Sequence, residues 1–338
     1  ENNKKLSAAA GTNLLDVLKE NGIYPDAPCG GNGTCGKCTM LVNGKQVLAC
    51  KTVVDRDMTV VLPQAEIRIS QERFCAEQGV DPLGDGYLLA FDIGTTSVVC
   101  VLLDGKTGRE LAQSSMLNPQ VAYGADVITR IQQAVQGNLA LLTQLIRHAM
   151  TDLIQMVCDD AGISPQKVDV VSVVGNPAMQ QLFLGICPDN LSEVPFAPAL
   201  TEAKAVSCKE ILPICPAAQL LIVPDIAGFI GADTIGCLLA TKLYEDDALT
   251  LLVDIGTNGE MVLGNRNGML ACATAAGPAL EGANIQFGMR AVPGAIDHVW
   301  TEDGKILCSV IGDGKAKGIC GSGLVDAVAA GLQLGLIN

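Results

Sequence analysis

The sequence predicts a small α+β domain at the N-terminus, followed by a larger α/β part made of two similar lobes, the second of them incomplete. Four cysteines lie in Gly-rich surroundings between residues 29 and 50. After residue 86 the chain changes to Val- and Leu-rich strands separated by helical stretches. The strand end Phe91–Thr96 recurs as Val253–Asn258, which indicates a repeated unit. The expected divisions are a small domain over 1–65, a linker over 66–86, a first lobe over 87–248 and the start of a second lobe over 249–338.

The composition of the 338-residue chain excludes several classes of protein. Hydrophobic residues make up 49% and charged residues 17%, so a sizeable core is expected. The net charge of −14 would repel a phosphate backbone, so nucleic acid is not an expected partner. Its apolar runs are shorter than the roughly 20 residues of a membrane span, and no secretory signal opens the chain. We therefore expect a cytoplasmic protein without a membrane partner.

The chain has 14 cysteines, far more than the four of the N-terminal pattern. The others are scattered singly, mostly on apolar segments, as with Cys100, Cys237 and Cys272. We expect them to be buried small hydrophobic residues in a reducing compartment, which suits an anaerobic cytoplasm.

In the first domain, Thr12–Gly22 is predicted to be a short helix capped by Thr12, with its leucines on one face. A Gly- and Cys-rich loop follows. The next segment predicts a hairpin with strands over 39–42 and 45–49 and the turn Asn43-Gly44. Met58–Leu62 is a further predicted strand.

The larger part is predicted to alternate strands and helices. Strands are expected over 88–92, directly after the Gly94–Thr96 turn, after the Asp104-Gly105 turn, over 168–174 and over 220–223; helices are expected over 125–160, 177–184 and 231–243. In the first of these helices, Ile128, Ile131, Val135 and Leu139 have helical spacing. The second lobe is expected to repeat the opening strand–turn–strand, and the two turns to face one another.

The four N-terminal cysteines, Cys29, Cys35, Cys38 and Cys50, have five, two and eleven residues between them. Iron in such clusters requires four thiolates, and the intervening glycines let backbone N–H groups turn towards sulfur. A zinc site and a disulfide loop are the alternatives, but zinc more often uses two CxxC pairs. The pattern predicts a [2Fe–2S] cluster. It resembles β-grasp [2Fe–2S] ferredoxins, in the spacing variant of those that serve oxygenases, with a first strand that is short or missing.

The turn Gly94–Thr96 is predicted to bind phosphate. Gly94 lets a phosphate approach, and the hydroxyl and N–H groups of Thr95 and Thr96 can donate to its oxygens. Asp92, at the strand end, is placed to hold Mg²⁺ through water. A plain turn between strands is the alternative. No P-loop lysine accompanies the turn, so the metal and backbone dipoles would neutralise the phosphate charge.

The second turn, formed by Gly256, Thr257 and Asn258, could grip the same triphosphate, with Asp254 orienting the attacking water. Glu260 could help to position Mg²⁺ or water, or it could be a solvated strand residue. Farther along, Gly277 and Glu281 could reach the nucleotide, although an acid in the first turn of a helix is also favoured by the helix dipole alone.

The paired turns resemble the two phosphate motifs of the acetate kinase, sugar kinase, Hsp70 and actin superfamily. Six further segments sharpen the resemblance: Asn118–Gln120, Tyr123–Val127, Gly175–Met179, Ala276–Gly282, Gly288–Ala291 and Gly318–Leu324. Together with the N-terminal domain, the chain resembles the reductive activators of corrinoid enzymes. The resemblance implies a β-grasp [2Fe–2S] ferredoxin domain and a two-lobed actin-like, ribonuclease H-like ATPase domain.

The resemblance also implies a function. ATP with Mg²⁺ would drive one-electron reduction of the Co(II) corrinoid protein of a methyltransferase system to Co(I), with electrons from a low-potential donor. Nothing in the sequence argues against a homodimer. The sequence departs from the superfamily in one respect, because it lacks the late Gly-Gly motif that binds adenosine. We therefore expect that the chain is a fragment, that a partner chain completes the second lobe, or that nucleotide binding is impaired.

Two other functions remain open on the sequence. The kinase-like domain could only dock a partner of an electron-transfer module, or the chain could be a small-molecule kinase with an accessory cluster. The two histidines, His148 and His298, are not expected to be metal ligands.

Overall fold

The computed structural model describes residues 4–23, 25, 27, 31, 33, 36, 38–62, 84–256, 258–274, 285–289, 291–312 and 314–337. The strands are β1 (Thr12–Asn13), β2 (Thr39–Val42), β3 (Lys45–Leu48), β4 (Val53–Val54), β5 (Val60–Val61), β6 (Tyr87–Ile93), β7 (Ser97–Asp104), β8 (Glu110–Leu117), β9 (Val168–Gly175), β10 (Lys204–Ser207), β11 (Gln219–Ile222), β12 (Thr250–Ile255), β13 (Gly259–Asn265), β14 (Gly268–Thr274), β15 (Ala295–Glu302), β16 (Lys305–Val310) and β17 (Gly318–Ile319). The helices are α1 (Leu14–Glu20), α2 (Val127–Gln133), α3 (Leu139–Ala161), α4 (Pro177–Leu184), α5 (Ala232–Thr241) and α6 (Gly321–Gln333).

Helix α1 supplies much of the core of the N-terminal domain through its leucines, which are almost fully buried. The residue that caps it is Asn13, whose side chain accepts a hydrogen bond from the Leu15 N–H at 2.9 Å. The predicted cap, Thr12, is wrong: Thr12 lies in β1, and its hydroxyl donates to the Ala9 carbonyl. Asn at the cap satisfies an N–H group that the first helical turn leaves without a partner.

The predicted hairpin is confirmed, with β2 pairing antiparallel to β3 around Asn43-Gly44. The further predicted strand is shorter than expected, because only β5 pairs with β2. A separate short pair joins β1 to β4, so the first strand of the domain is short, as predicted. Most of the predicted linker, together with the predicted end of the first domain, lies outside the described residues.

The first lobe is built on a six-stranded sheet of order β10-β11-β9-β6-β7-β8. Strands β6, β7 and β8 form an antiparallel meander, while β9 pairs parallel to β6 and β11 parallel to β9. Parallel neighbours place the ends of β6, β9 and β11 at one edge of the sheet. Helix α3 packs on the meander, and the core between them is almost wholly apolar.

The helical stretch predicted over 125–160 is interrupted. Helices α2 and α3 are separated by a wider turn over Ala134–Asn138, in which Gly137 has a φ of 102°. The predicted apolar stripe is therefore wrong in part: Ile131 is buried, but Ile128 and Val135 are exposed. The side of α2 that faces the core carries Val127, Arg130 and Ile131. Ile128 therefore lies off that side, and Val135 lies in the wider turn itself.

The second lobe begins with the same meander, in the order β12-β13-β14. One face packs through Val262 on Leu238 of α5 and on Leu243, which lies in the turn after that helix. The other face is exposed, which corrects the expectation that Cys272 is buried; it lies on β14, and Cys237 is half-buried. A further sheet of order β16-β15-β17 packs on α6. None of the helices within the described ranges combines the length and apolar character that a membrane crossing requires.

Candidate functional site

The first predicted phosphate turn lies where β6 ends and β7 begins. A Cβ atom on Gly94 would lie 2.7 Å from the Ser97 carbonyl oxygen, so glycine is required for the tightness of the turn itself. Glycine at this position thus has a structural reason in addition to the predicted one, which is the close approach of a phosphate. Thr95 is buried and Thr96 half-buried beside it.

Three buried side chains hold this turn from behind. Asn118 Nδ2 donates to the Gly94 carbonyl at 2.8 Å, and Asn176 Nδ2 donates to the Thr95 hydroxyl at 3.0 Å. Arg130 Nη2 donates to the Thr95 carbonyl. Asn176 also caps α4 by accepting from the Met179 N–H. The sequence motifs around Asn118 and Asn176 are thus structural supports of the turn, while Arg130 was missed because its burial could not be read from the sequence.

Four acidic side chains lie within electrostatic range of one another near the two predicted phosphate turns. Asp254 and Glu260 are paired directly across β12 and β13, which places both on the same face of that sheet. Asp92 at the end of β6 and Asp233 in the first turn of α5 interact electrostatically with Asp254. The predicted Asp92 and Glu260 therefore each interact with the predicted Asp254, and Asp233 interacts with all three.

Burial and mutual repulsion raise pKa values within this acidic group. Desolvation in the cleft, then the charges of Asp233 and Asp254, raise the pKa of Asp92 to about 7, although its side chain keeps an exposed surface. The same causes raise the pKa of Glu260 to about 7, and desolvation is the main cause that raises the pKa of Asp233. Glu260 is only 8% exposed, so it is not a solvated strand residue. Carboxylates are the ligands that Mg²⁺ prefers. Within the described residues, however, no three of these side chains lie close enough together to hold a metal ion, so the Mg²⁺ site stays a prediction.

The position of α5 explains why Asp233 reaches this group. A Cβ atom on Gly231 would lie 2.5 Å from the Gly175 carbonyl oxygen, so glycine lets the start of α5 touch the end of β9. Sequence reasoning missed Asp233, although an acid directly after a Gly-containing loop at a helix start was a usable signal.

Two more groups surround the acidic cluster. Asp225, in the loop before α5, is 5% exposed, and within the described part of the chain neither carboxylate oxygen makes a hydrogen bond. Desolvation, then the charge of Asp233, raises its pKa to about 8. The Cys237 Sγ lies 4.0 Å from Asp254 Oδ2, and desolvation followed by the four nearby carboxylates raises the pKa of this thiol to about 11. Without a cation, the site therefore retains protons on several groups.

The second predicted turn is only partly described. The Gly256 N–H donates to the Asn258 carbonyl at 2.9 Å, which closes the turn between β12 and β13. Thr257, Gly277 and Glu281 lie outside the described residues, so their predicted roles stay predictions.

The cysteine site fits a cluster in the part that is described. The Sγ atoms of Cys38 and Cys50 lie 3.3 Å apart, which is too long for a disulfide bond of about 2.05 Å. The Cys50 N–H points at the Cys38 sulfur at 3.5 Å, the kind of contact that stabilises an electron-rich thiolate. Cys29 and Cys35 lie outside the described residues.

Both histidines interact with aspartates. His148 Nε2 lies 3.7 Å from Asp152 Oδ2, and His298 Nδ1 lies 2.9 Å from Asp326 Oδ2. Both imidazoles are exposed. Our prediction that neither histidine is a metal ligand stays a prediction.

Comparison with known proteins agrees with this architecture. Residues 1–61 match the family model of the 2Fe-2S iron-sulfur cluster binding domain, 87–246 match the RACo middle region, and 248–338 match the C-terminal domain of RACo, the ASKHA domain. The boundary between the last two matches, at residues 246–248, lies beside the predicted boundary between the lobes at 248–249. The description of the matching models, however, applies the term ASKHA to residues 248–338. Our assignment of 87–248 as the first lobe of one ATPase domain therefore stays a prediction.

Two curated proteins and one solved structure are similar to this chain. Corrinoid activation enzyme RamQ of Eubacterium limosum is 42% identical over 254 residues, which cover 74% of this chain and 42% of that protein. The [Co(II) methylated amine-specific corrinoid protein] reductase of Methanosarcina barkeri is 26% identical over 287 residues, which cover 75% of this chain and 52% of that protein. This chain thus spans about half or less of either relative's length.

The solved structure is titled a reductive activator for corrinoid,iron-sulfur protein. It superposes with a TM-score of 0.70 at 28% identity, and the match covers 98% of this chain and 72% of that one. A likeness of that extent supports the same order of domains from the cluster loop to α6. The two family models that describe regions of RACo together match most of the stretch from residue 87 to residue 338. The chain therefore belongs to the RACo family, with a [2Fe–2S] cluster domain at its N-terminus.

Proposed function

We propose that this protein is an ATP-dependent reductive activator, which reduces the inactive Co(II) corrinoid protein of a methyltransferase system to Co(I). The observation that carries the proposal is the presence, in one chain, of a cluster-binding domain and a phosphate-type turn whose Asp92 interacts with Asp233 and Asp254. The relatives named for corrinoid activation and corrinoid reduction support it. The protein acts in the cytoplasm, which agrees with buried thiols such as Cys100, Cys158 and Cys208 that form no disulfide bond.

The N-terminal domain handles the electron. Cys29, Cys35, Cys38 and Cys50 would hold the cluster, which supplies one electron at a time when bound. The electron comes from an external low-potential donor and converts Co(II) to Co(I). The Cys50 N–H points at the Cys38 sulfur, where it stabilises the extra negative charge.

The cleft between the lobes handles the nucleotide. Asp92 and Asp233 would hold Mg²⁺, the Gly94–Thr96 turn would bind phosphate oxygens, and Asp254 would orient the attacking water. Because these groups come from both lobes, their mutual repulsion would be relieved when Mg·ATP is held between them, and the closed arrangement would then be favoured. Lobe closure then stabilises the complex in which the unfavourable electron transfer proceeds.

The decisive experiment follows cobalt absorption of an isolated Co(II) corrinoid protein, mixed anaerobically with this protein and a chemical reductant. Appearance of the Co(I) spectrum only with Mg·ATP is the expected result. Reduction that is indifferent to ATP would instead favour an electron-transfer module whose second part only docks a partner. No reduction with any corrinoid protein tried would contradict the proposal.

A further inference from the structure

Arg130, in α2, is an unusual buried cation. Its side chain is fully buried, and it donates to three different parts of the chain. Nε donates to the Gly124 carbonyl at 2.8 Å, Nη1 to Gln120 Oε1 at 3.3 Å, and Nη2 to the Thr95 carbonyl. Its Nη1 also lies 3.1 Å from the Met179 sulfur. Every one of these partners is uncharged, and no ion pair to a carboxylate is found for it among the described residues.

Packing alone does not explain a guanidinium in this position. Burying an arginine without an ion-pair partner is costly, and an apolar side chain of similar length would fill the same space more cheaply. Burial lowers the pKa of Arg130 to about 9, partly offset by the charge of Asp126, so the side chain remains a cation at neutral pH. A buried group retained at such a cost is expected to act on something beside it.

What Arg130 acts on is the peptide between Thr95 and Thr96. In a trans peptide the C=O and the following N–H point in opposite directions. Because Arg130 holds the Thr95 carbonyl towards the core, it fixes the orientation of the whole peptide plane that joins Thr95 to Thr96. Asn118 does the same one peptide earlier, by holding the Gly94 carbonyl.

We propose that Arg130 is a positioning residue for phosphate binding at the Gly94–Thr96 turn. It fixes the peptide planes of the turn, and it supplies, from behind the turn, the positive charge that a P-loop would supply by lysine. The inference rests on the proposed function, because it takes this turn to be the phosphate site of a nucleotide.

The test compares Arg130→Met, Arg130→Lys and a matched control, Arg147→Met, in the cluster-containing protein. Arg147 is half-buried in α3 and donates to the Phe183 carbonyl at 2.9 Å, so it shares the contact type but not the turn. Calorimetry measures the affinity for Mg·ATP and for AMP, and thermal unfolding measures stability. We expect Arg130→Met to weaken Mg·ATP binding about tenfold while AMP binding changes little, as loss of a charge-assisted hydrogen bond implies. Arg130→Lys should recover part of the loss, and Arg147→Met should lower stability only.

The outcomes separate the two proposals. If the wild-type protein binds Mg·ATP and both Arg130 variants bind it equally well, the positioning role is wrong and the nucleotide site stands. The role is also wrong if ATP and AMP binding fall together in proportion to lost stability. If Arg130→Met does not fold, the Arg130→Lys variant decides the question, because it keeps the charge without the two-pronged donor. If the wild-type protein does not bind Mg·ATP at all, the nucleotide site itself is wrong, and the role of Arg130 fails with it.

Discussion

The two strand–turn–strand units share a sequence motif but differ in their surroundings. In the first, Phe91 and Ile93 flank Asp92 and are almost fully buried. In the second, Val253 and Ile255 flank Asp254 and are 49% and 69% exposed. The same short sequence therefore specifies the local turn in both places, and the rest of the chain decides how firmly each turn is held.

The supports of the two turns also differ. Asn118, Arg130 and Asn176 hold the first turn from behind. For the second, the described residues contribute the closing bond from Gly256 to Asn258. A Cβ on Gly94 would collide with the backbone at 2.7 Å, whereas one on Gly256 would meet the Asn258 carbonyl at 3.4 Å, which is ordinary contact. The three side chains behind the first turn preorganise it for a ligand.

The matched pair Ile93→Ala and Ile255→Ala gives the largest expected contrast. Ile93 has no exposed surface, so its truncation should cost about 2–5 kcal/mol of the free energy of unfolding. Ile255 is exposed, so the same change should cost less than about 0.5 kcal/mol. Urea unfolding followed by circular dichroism measures both. Equal losses would show that Ile255 is covered in solution and would remove the contrast.

The variants Asp92→Ala and Asp254→Ala test whether both turns serve one site. Each should reduce ATP-dependent corrinoid activation by about 100-fold, because each removes a carboxylate aimed at the same metal or water. The absorption of the cluster should be unchanged, and the control Asp169→Ala, at an exposed acid of β9, should be fully active. Intact activity in either of the first two variants would contradict the assigned role.

The pH dependence of Mg²⁺ binding should reveal the crowded carboxylates. Asp92 and Glu260 have pKa values raised to about 7, so at pH 6 protons compete with the metal and above pH 7.5 they do not. The Mg²⁺ affinity of the nucleotide-free protein should rise about tenfold over that interval. Asp92→Asn should remove part of the slope, since Glu260 titrates over the same range. A flat profile in the wild-type protein, measured by calorimetry, would place the metal elsewhere.

The smallest expected effect compares an asparagine that supports the first turn with one inside the second. Asn176→Ala loses both the cap of α4 and the bond to Thr95, so it should cost about 1 kcal/mol of stability. Asn258→Ala should cost almost nothing, because the bond that closes its turn uses the backbone carbonyl. Thermal unfolding of both variants measures the difference. A larger loss in Asn258→Ala would reverse the comparison.

Local pattern predicted much of this molecule. The hairpin around Asn43-Gly44, helix α4 and the two meanders follow from turn residues and alternation, which act over a few positions. The predictions failed where longer-range packing competes with local pattern. Ile128 and Val135 fit a helical stripe but lie on the solvent side of a helix that Gly137 interrupts.

The sequence by itself determined the cysteine ligand pattern, the two Asp-Ile-Gly-Thr turns and the family that carries both. Only the tertiary structure decided that Asp233 joins Asp92 and Asp254, and that Arg130 lies beneath the first turn. The physical reason is the sequence separation of these groups. Motifs record residues that are neighbours along the chain, whereas electrostatic crowding and burial depend on residues that the sheet order brings together.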